Sequence, residues 1–200
     1  MGQAAGYALS NNDSFAEDMG RAERAYRSRD YAVAFDIYRR LGEAGHVDSQ
    51  LMVAGMLLNG LGAEQDEAAA ATWYARSAAL GSPQGGFYYA RYLTRLGRQK
   101  EARAHYLASA QTGFLPSIFW MGYTAAQGQG TAVNLDEAYR YLLQAAKQGH
   151  LHAVREIGVL DMRGCRGVFW RLIGVFEFIA AVVGAFLLTL VVRDSVLLRA

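Results

Sequence analysis

His150 and His152 are the side chains best suited to chemistry in this chain, because two neighbouring imidazoles can ligate a divalent metal ion. His46, however, holds the same place as His150, directly after a glycine that closes a predicted helix, and this repetition favours a role in the turn. Cys165 lies among arginines, whose charge can activate a thiolate nucleophile. The sequence indicates no histidine or acid partner near that thiol. These residues therefore predict neither a metal site nor a catalytic nucleophile.

Two glycine-rich segments and two acidic pairs are the remaining candidates for chemistry. Gly60-x-Gly62 and Gly128-x-Gly130 lack the preceding strand and the Lys-Ser/Thr pair of a phosphate-binding loop, so both are interpreted as connections between helices. Asp66-Glu67 and Asp136-Glu137 stand in the first turns of predicted helices, where carboxylates complement the helix dipole. The sequence thus predicts no catalytic residue, no cofactor and no metal, and an enzymatic interpretation has no supporting residues.

Composition narrows the class of protein further. The net charge of +2 provides no strong field for nucleic acid, and no nucleic-acid partner is predicted. Arginine supplies nearly all of the 20 basic residues, a bias typical of GC-rich bacterial genomes. Only two prolines are present, as expected of an all-helical chain, and a single cysteine excludes an intrachain disulfide.

The elements that would position these residues are indicated by an internal repeat. A glycine closes an alanine-rich helix at Gly45, Gly81, Gly113 and Gly149, at intervals of 36, 32 and 36 residues. Periods of this size are typical of stacked helical hairpins, whose usual product is a binding surface. In the unit that ends at Gly81, helical spacing predicts an inward face made of Leu51, Ala54, Leu57, Leu58, Ala70, Trp73, Tyr74, Ser77 and Ala78.

The repeat resembles the Sel-one-like repeat, a relative of the tetratricopeptide repeat. The shared pattern is a small residue, Gly-x-Gly, an acidic helix start, alanine, an aromatic pair, Ala-Ala and glycine, as in MGYTAAQGQGTAVNLDEAYRYLLQAAKQGH. The match extends from about Asp30 to Gly167, and the second and fourth units fit best. In the third unit Leu96-Gly97-Arg98 replaces the Gly-x-Gly loop, which is the shorter tetratricopeptide form. The resemblance implies an all-α, right-handed solenoid of helical hairpins.

The resemblance also implies that the first helix of each hairpin lines a concave surface that binds a peptide or protein. Tyr, Trp and Arg are the side chains that most often anchor interfaces. The residues predicted to form this surface are Tyr88, Arg91, Arg95, Trp120, Tyr123 and Gln127. Packing between hairpins is the alternative role, and Trp120 is the residue that fits it most readily.

The C-terminal segment changes character and predicts a membrane helix. Leu172 to Val192 are 21 residues with one charge, Glu177, and would span about 31 Å at about 1.5 Å per residue. Glu177 is either a functional intramembrane carboxylate or an interfacial residue, and Ala180 and Gly184 form a small-x-x-x-small pair that would suit a homodimer. The alternative is that this segment is the second helix of a fifth hairpin.

These patterns divide the chain into four parts: a disordered N terminus at 1–15, the repeat solenoid at 16–167, a single transmembrane helix at 168–192, and a short tail at 193–200. Arginines are more frequent before the membrane helix than after it, which predicts repeats in the cytoplasm and an anchor in the bacterial inner membrane. The expected function is a membrane-tethered adaptor whose partners are a protein or peptide and the lipid bilayer. The alternative is a structural subunit of a membrane complex that assembles mainly through the C-terminal helix.

Overall fold

The computed structural model describes residues 2–162, 175–176 and 178–184, with side chains from residue 14 onward. The first 162 residues are helices joined by short connections: α1 (Gly2–Arg27), α2 (Tyr31–Glu43), α3 (Val47–Asn59), α4 (Glu67–Ala79), α5 (Pro83–Arg95), α6 (Gln99–Gln111), α7 (Leu115–Gln127), α8 (Leu135–Lys147) and α9 (Leu151–Met162). This all-α helical repeat arrangement fits the solenoid predicted from the sequence. Helix α1 begins at Gly2 and so includes residues 2–15.

The chain divides into two compact units, Met1–Tyr92 and Leu93–Ala200. In the first unit, α1 pairs with α2 and α3 pairs with α4 around a core of small and aromatic side chains. Ala34, Ala54 and Ala70 have no exposed surface, and Tyr38 and Trp73 fill the space between them. In the second unit, α7 packs against α6 and α8, and α8 packs against α9.

The closing glycines have the conformation that their position requires. Gly45, Gly81, Gly113 and Gly149 all have φ between 85° and 95°, a region that other residues rarely adopt. After Gly45 the backbone N–H of His46 donates to the carbonyl of Leu41 at 3.0 Å, which ends the helix with its last carbonyls satisfied. The repeat spacing predicted from these glycines is therefore confirmed.

The Gly-x-Gly loops connect one hairpin to the hairpin before it. Gly60 and Gly128 cap the ends of α3 and α7 in the left-handed conformation. Gly62 then lies against the backbone of Tyr31 at the start of α2, and Gly130 lies in the same way against Gln99 at the start of α6. A side chain on either second glycine would overlap this backbone, so the loop fixes how each hairpin stacks.

The predicted membrane helix at 168–192 falls largely outside the described residues, and so does Glu177. Residues 175–176 and 178–184 of this segment are helical, with Ala180 exposed and Gly184 half-buried. Within the described parts of the chain, no helix is both long enough and apolar enough to cross a membrane.

Candidate protein-binding surface

A pair of stacked aromatic rings recurs at the same place in two successive repeats. In the first unit Tyr88 of α5 stacks on Tyr74 of α4, with ring centroids 4.9 Å apart and planes inclined by 26°. In the second unit Trp120 of α7 stacks on Tyr106 of α6, with centroids 5.7 Å apart and planes inclined by 9°. In each pair, one ring lies seven residues before a closing glycine and the other lies seven residues after it. In these two repeats, a ring of the first helix therefore lies against a buried tyrosine of the preceding second helix.

In the first unit, the predicted surface residue Tyr88 is the outer ring of this stack, and the charge of Arg91 lies near enough to act on Tyr74. Tyr88 remains 39% exposed, whereas Tyr74 beneath it is buried. Burial raises the pKa of Tyr74 to about 12, with a further contribution from Tyr88 and an opposing one from Arg91. The Arg91 guanidinium lies 6.0 Å from the ring centroid of Phe87, so an arginine of the chain itself covers that ring.

In the second unit, five rings form one contiguous group, here called the α7 aromatic cluster: Phe119, Trp120 and Tyr123 of α7, with His150 and His152 at the start of α9. Tyr123 meets Trp120 edge-on at 5.4 Å and stacks with Phe119 at 6.1 Å. His150 stacks on Phe119 with ring centroids 4.4 Å apart, and the ring centroid of His152 is 5.8 Å from that of His150. Four of these side chains are half-buried and His152 is exposed, so the cluster borders solvent.

The two histidines that follow closing glycines have different roles. His46 begins α3 as its N-cap, and its Nδ1 accepts a hydrogen bond from the backbone N–H of Ser49 at 3.2 Å. At the equivalent place of His150 the serine is replaced by Ala153, and Nδ1 of His150 is buried without a hydrogen-bond partner. Burial lowers the pKa of His150, and the nearby His152 lowers it further, so the ring is neutral at pH 7.

An ion pair behind the cluster fixes α7 between its neighbouring helices. The guanidinium of Arg103 in α6 contacts the Glu137 carboxylate of α8 at 2.6 Å and donates to the Thr124 hydroxyl of α7 at 3.3 Å. Both charged side chains are at least four-fifths buried. Three helices are therefore held by one guanidinium, which limits the movement of the rings that α7 carries.

The remaining predicted surface residues, Arg95 and Gln127, are exposed at the C-terminal ends of α5 and α7. For Trp120 the structure supports the alternative role, because its ring packs between hairpins, although it also forms part of the cluster. The prediction omitted Phe119, His150 and His152. Phe119 stands four residues before Tyr123 on one helical face, a spacing that could have indicated it.

The histidines and the second Gly-x-Gly loop, which the sequence offered for metal and phosphate binding, lie among the described residues. Among them, no group of three or more His, Cys, Asp or Glu side chains is placed to share a metal ion. A cavity of about 560 Å³ lies beside the Gly128–Gly130 loop, and the loop at Gly97 and the start of α6 form its other wall. Arg98 at its edge donates to Glu101 through two hydrogen bonds of 2.7 and 2.6 Å.

Comparison with known proteins identifies the repeat. The model of the Sel1 repeat matches residues 47–82 and 115–150. The two matched segments together cover 72 of the 200 residues. The second matched repeat contains four of the five rings of the α7 aromatic cluster. The resemblance to the Sel-one-like repeat is thereby confirmed for the second and fourth units.

Solved structures show the same fold. A protective antigen of uropathogenic Escherichia coli with an SLR fold has a TM-score of 0.69 and 24% identity, over 79% of this chain and 36% of that one. A Sel1 repeat protein from Oxalobacter formigenes has a TM-score of 0.65 and 21% identity, over 78% of this chain and 69% of that one.

Curated relatives are found in rhizobia. The exopolysaccharide production negative regulator of Rhizobium meliloti (strain 1021) is 26% identical over 152 residues, and that of Rhizobium leguminosarum bv. viciae is 28% identical over 153 residues. The matched regions cover 67% and 68% of this chain. The chain spans 57% of the length of each relative.

Proposed function

We propose that this protein is a noncatalytic interaction scaffold that binds a protein partner on the α7 aromatic cluster. The observation that carries this proposal is the cluster itself, in which five contiguous rings border solvent and belong almost entirely to a Sel1 repeat. Sel1 repeats act as protein-interaction scaffolds, and half-buried Trp and Tyr side chains are the groups that most often dominate binding energy.

We further propose that the interaction serves the negative control of exopolysaccharide production. The support is the likeness to the two rhizobial regulators, which covers 67% and 68% of this chain. The partner in this proposal is a protein, bound without any chemical change to it.

Genetic complementation in the source organism tests both parts together. Deletion of the gene is expected to increase secreted exopolysaccharide, and the wild-type gene should restore the original amount. A Tyr123→Ala and Gln127→Ala double variant should fail to restore it while accumulating to the wild-type level. Leu107→Ala changes a 37% exposed residue of α6 outside the cluster and should complement fully. Full complementation by the double variant would refute the assignment of the surface, and unchanged exopolysaccharide on deletion would refute the process.

Membrane attachment through residues 168–192, with the repeats in the cytoplasm, is a separate part of the proposal. It is supported by the composition of that segment, in which one charged residue stands among 21 between Leu172 and Val192. The full chain and a version that ends at Gly167 should be expressed and fractionated with an alkaline carbonate wash. Retention of the full chain alone in the membrane pellet is expected. Release of both proteins would refute the anchor.

A further inference from the structure

We propose that the α7 aromatic cluster recognises a cationic side chain, an arginine or lysine in an exposed segment of the partner protein. This inference rests on the proposed function and specifies the chemistry of the partner. The faces of aromatic rings carry negative partial charge and attract cations most strongly when several rings surround one ammonium or guanidinium group. Phe119, Trp120 and Tyr123 provide three such rings within 6.3 Å of one another.

The same chain shows that its rings are used in this way elsewhere. Arg76 lies 4.8 Å from the centroid of Trp73, and Arg140 lies 5.2 Å from that of Tyr141. In α5, Arg91 lies over Phe87, which holds the repeat position that Phe119 holds in α7. The position of Arg91 is taken by Tyr123 in α7. The second unit therefore has an additional ring at the place where the first unit has its own cation.

The electrostatic surroundings of the cluster are suited to a positive ligand. The α7 helix has no charged residue between Leu115 and Gln127. Among the described residues, no lysine or arginine lies over the rings of Phe119, Trp120 or Tyr123. His150 completes the cluster as a neutral ring at pH 7, so it adds aromatic surface without adding charge.

A carboxylate stands at the equivalent repeat position in α9. Glu156 holds in α9 the place that Trp120 holds in α7, seven residues after the closing glycine. Its carboxylate accepts a hydrogen bond from the neighbouring Arg155 at 2.6 Å, and Arg155 is 45% exposed at the side chain. Only 13% of the Glu156 side chain is exposed, so this carboxylate is satisfied within the chain and is not part of the proposed binding site.

Matched peptides test the inference on the full chain. Three fluorescein-labelled Gly-Ser peptides would carry four arginines, four citrullines or four glutamates, because citrulline keeps the shape of arginine and removes its charge. Fluorescence anisotropy at 150 mM salt, where exposed charges are largely screened, gives the affinity. We expect the arginine peptide to bind at least fivefold more tightly than the citrulline peptide. It should also shift the indole N–H resonance of Trp120, assigned with a Trp120→Phe variant.

Variants locate the binding. Phe119→Leu and Tyr123→Leu should each weaken the arginine peptide at least fivefold, whereas Tyr123→Phe keeps the ring and should bind as the wild type does. Tyr141→Leu is the matched control, since Arg140 already covers that ring. Circular dichroism establishes that each variant is folded, and the Trp120 shift in the wild type provides a readout that needs no variant.

Three results would overturn the inference: equal binding of the citrulline peptide, tighter binding of the glutamate peptide, or arginine binding that the ring variants leave unchanged. If no peptide binds but the Tyr123→Ala and Gln127→Ala variant still fails to complement, the scaffold function stands and only the cationic chemistry is wrong. If that variant complements as well, both are wrong.

Discussion

Replacing Gly130 by alanine should destabilise the second unit much more than the same change at Gly113. Both glycines have positive φ, 76° and 87° respectively, so alanine is strained at either position. The left-handed conformation costs an L-residue about 1–2 kcal/mol, and the lower entropy of the unfolded chain returns about 0.4–1 kcal/mol. Gly113→Ala should therefore cost about 1 kcal/mol, because no described heavy atom lies within 4 Å of its added methyl group.

Gly130→Ala adds a steric term that Gly113→Ala lacks. Its Cβ would overlap the backbone carbonyl of Gln99 and approach the N atom of Lys100 to 3.1 Å. Backbone atoms at the start of α6 cannot rotate away as a side chain can, so the loop must move. Overpacking of this kind typically costs about 1–3 kcal/mol, which gives a total of about 2–4 kcal/mol.

Urea unfolding followed by circular dichroism measures this difference. With a slope of about 1–3 kcal/mol per molar urea, an extra 2 kcal/mol lowers the midpoint by roughly 1 M. Repeat proteins often unfold in parts, so amide hydrogen exchange should also locate the loss of protection in α6 and α8. Equal destabilisation by the two substitutions would refute the argument that the second glycine of the Gly-x-Gly loop is required for hairpin packing.

Three further outcomes follow from particular contacts. Glu137→Gln removes the charge partner of Arg103, which is four-fifths buried, and should cost about 1–3 kcal/mol in urea unfolding; a loss below about 0.5 kcal/mol would contradict the role of the pair. His46→Ala removes the side-chain acceptor for the Ser49 N–H and should cost about 1 kcal/mol, seen as faster hydrogen exchange in the first turn of α3. Because burial lowers the pKa of His150 below its usual 6.5, the folded state favours the neutral ring, so stability should be complete above pH 6.5 and decrease as the pH falls below it. His150→Phe keeps a ring at this place and should reduce that acid-side decrease in thermal melts; an unchanged pH profile would count against the assignment.

The fold was predictable from the sequence because each repeat contains its own local signals. The closing glycines at 45, 81, 113 and 149 have the positive φ that the pattern predicted. The helix start predicted at Asp66 is present, and its carboxylate accepts from the backbone N–H of Ala69 at 2.9 Å. The shorter connection at Leu96-Gly97-Arg98 is likewise observed between α5 and α6. Such signals depend on only a few neighbouring residues, so no tertiary information was needed to interpret them.

The candidate surface was only partly predictable. The sequence placed Trp120 and Tyr123 on one helical face, but it could not decide whether their rings face solvent or a neighbouring helix. The structure shows that Trp120 does both, since one side of its ring stacks on Tyr106.

By itself, the sequence determined the repeat, the boundaries of the hairpins and the identity of most core residues, because period, glycine position and helix caps are local properties. Only the tertiary structure decided which residues from different repeats meet. Arg103 pairs with Glu137 across 34 residues, and Phe119 stacks on His150 across the whole of α8. His46 and His150 hold one place in the repeat, yet His46 caps a helix whereas His150 completes an aromatic cluster. His150 instead stacks on Phe119, and that contact exists only because the packed helices bring α7 to the start of α9.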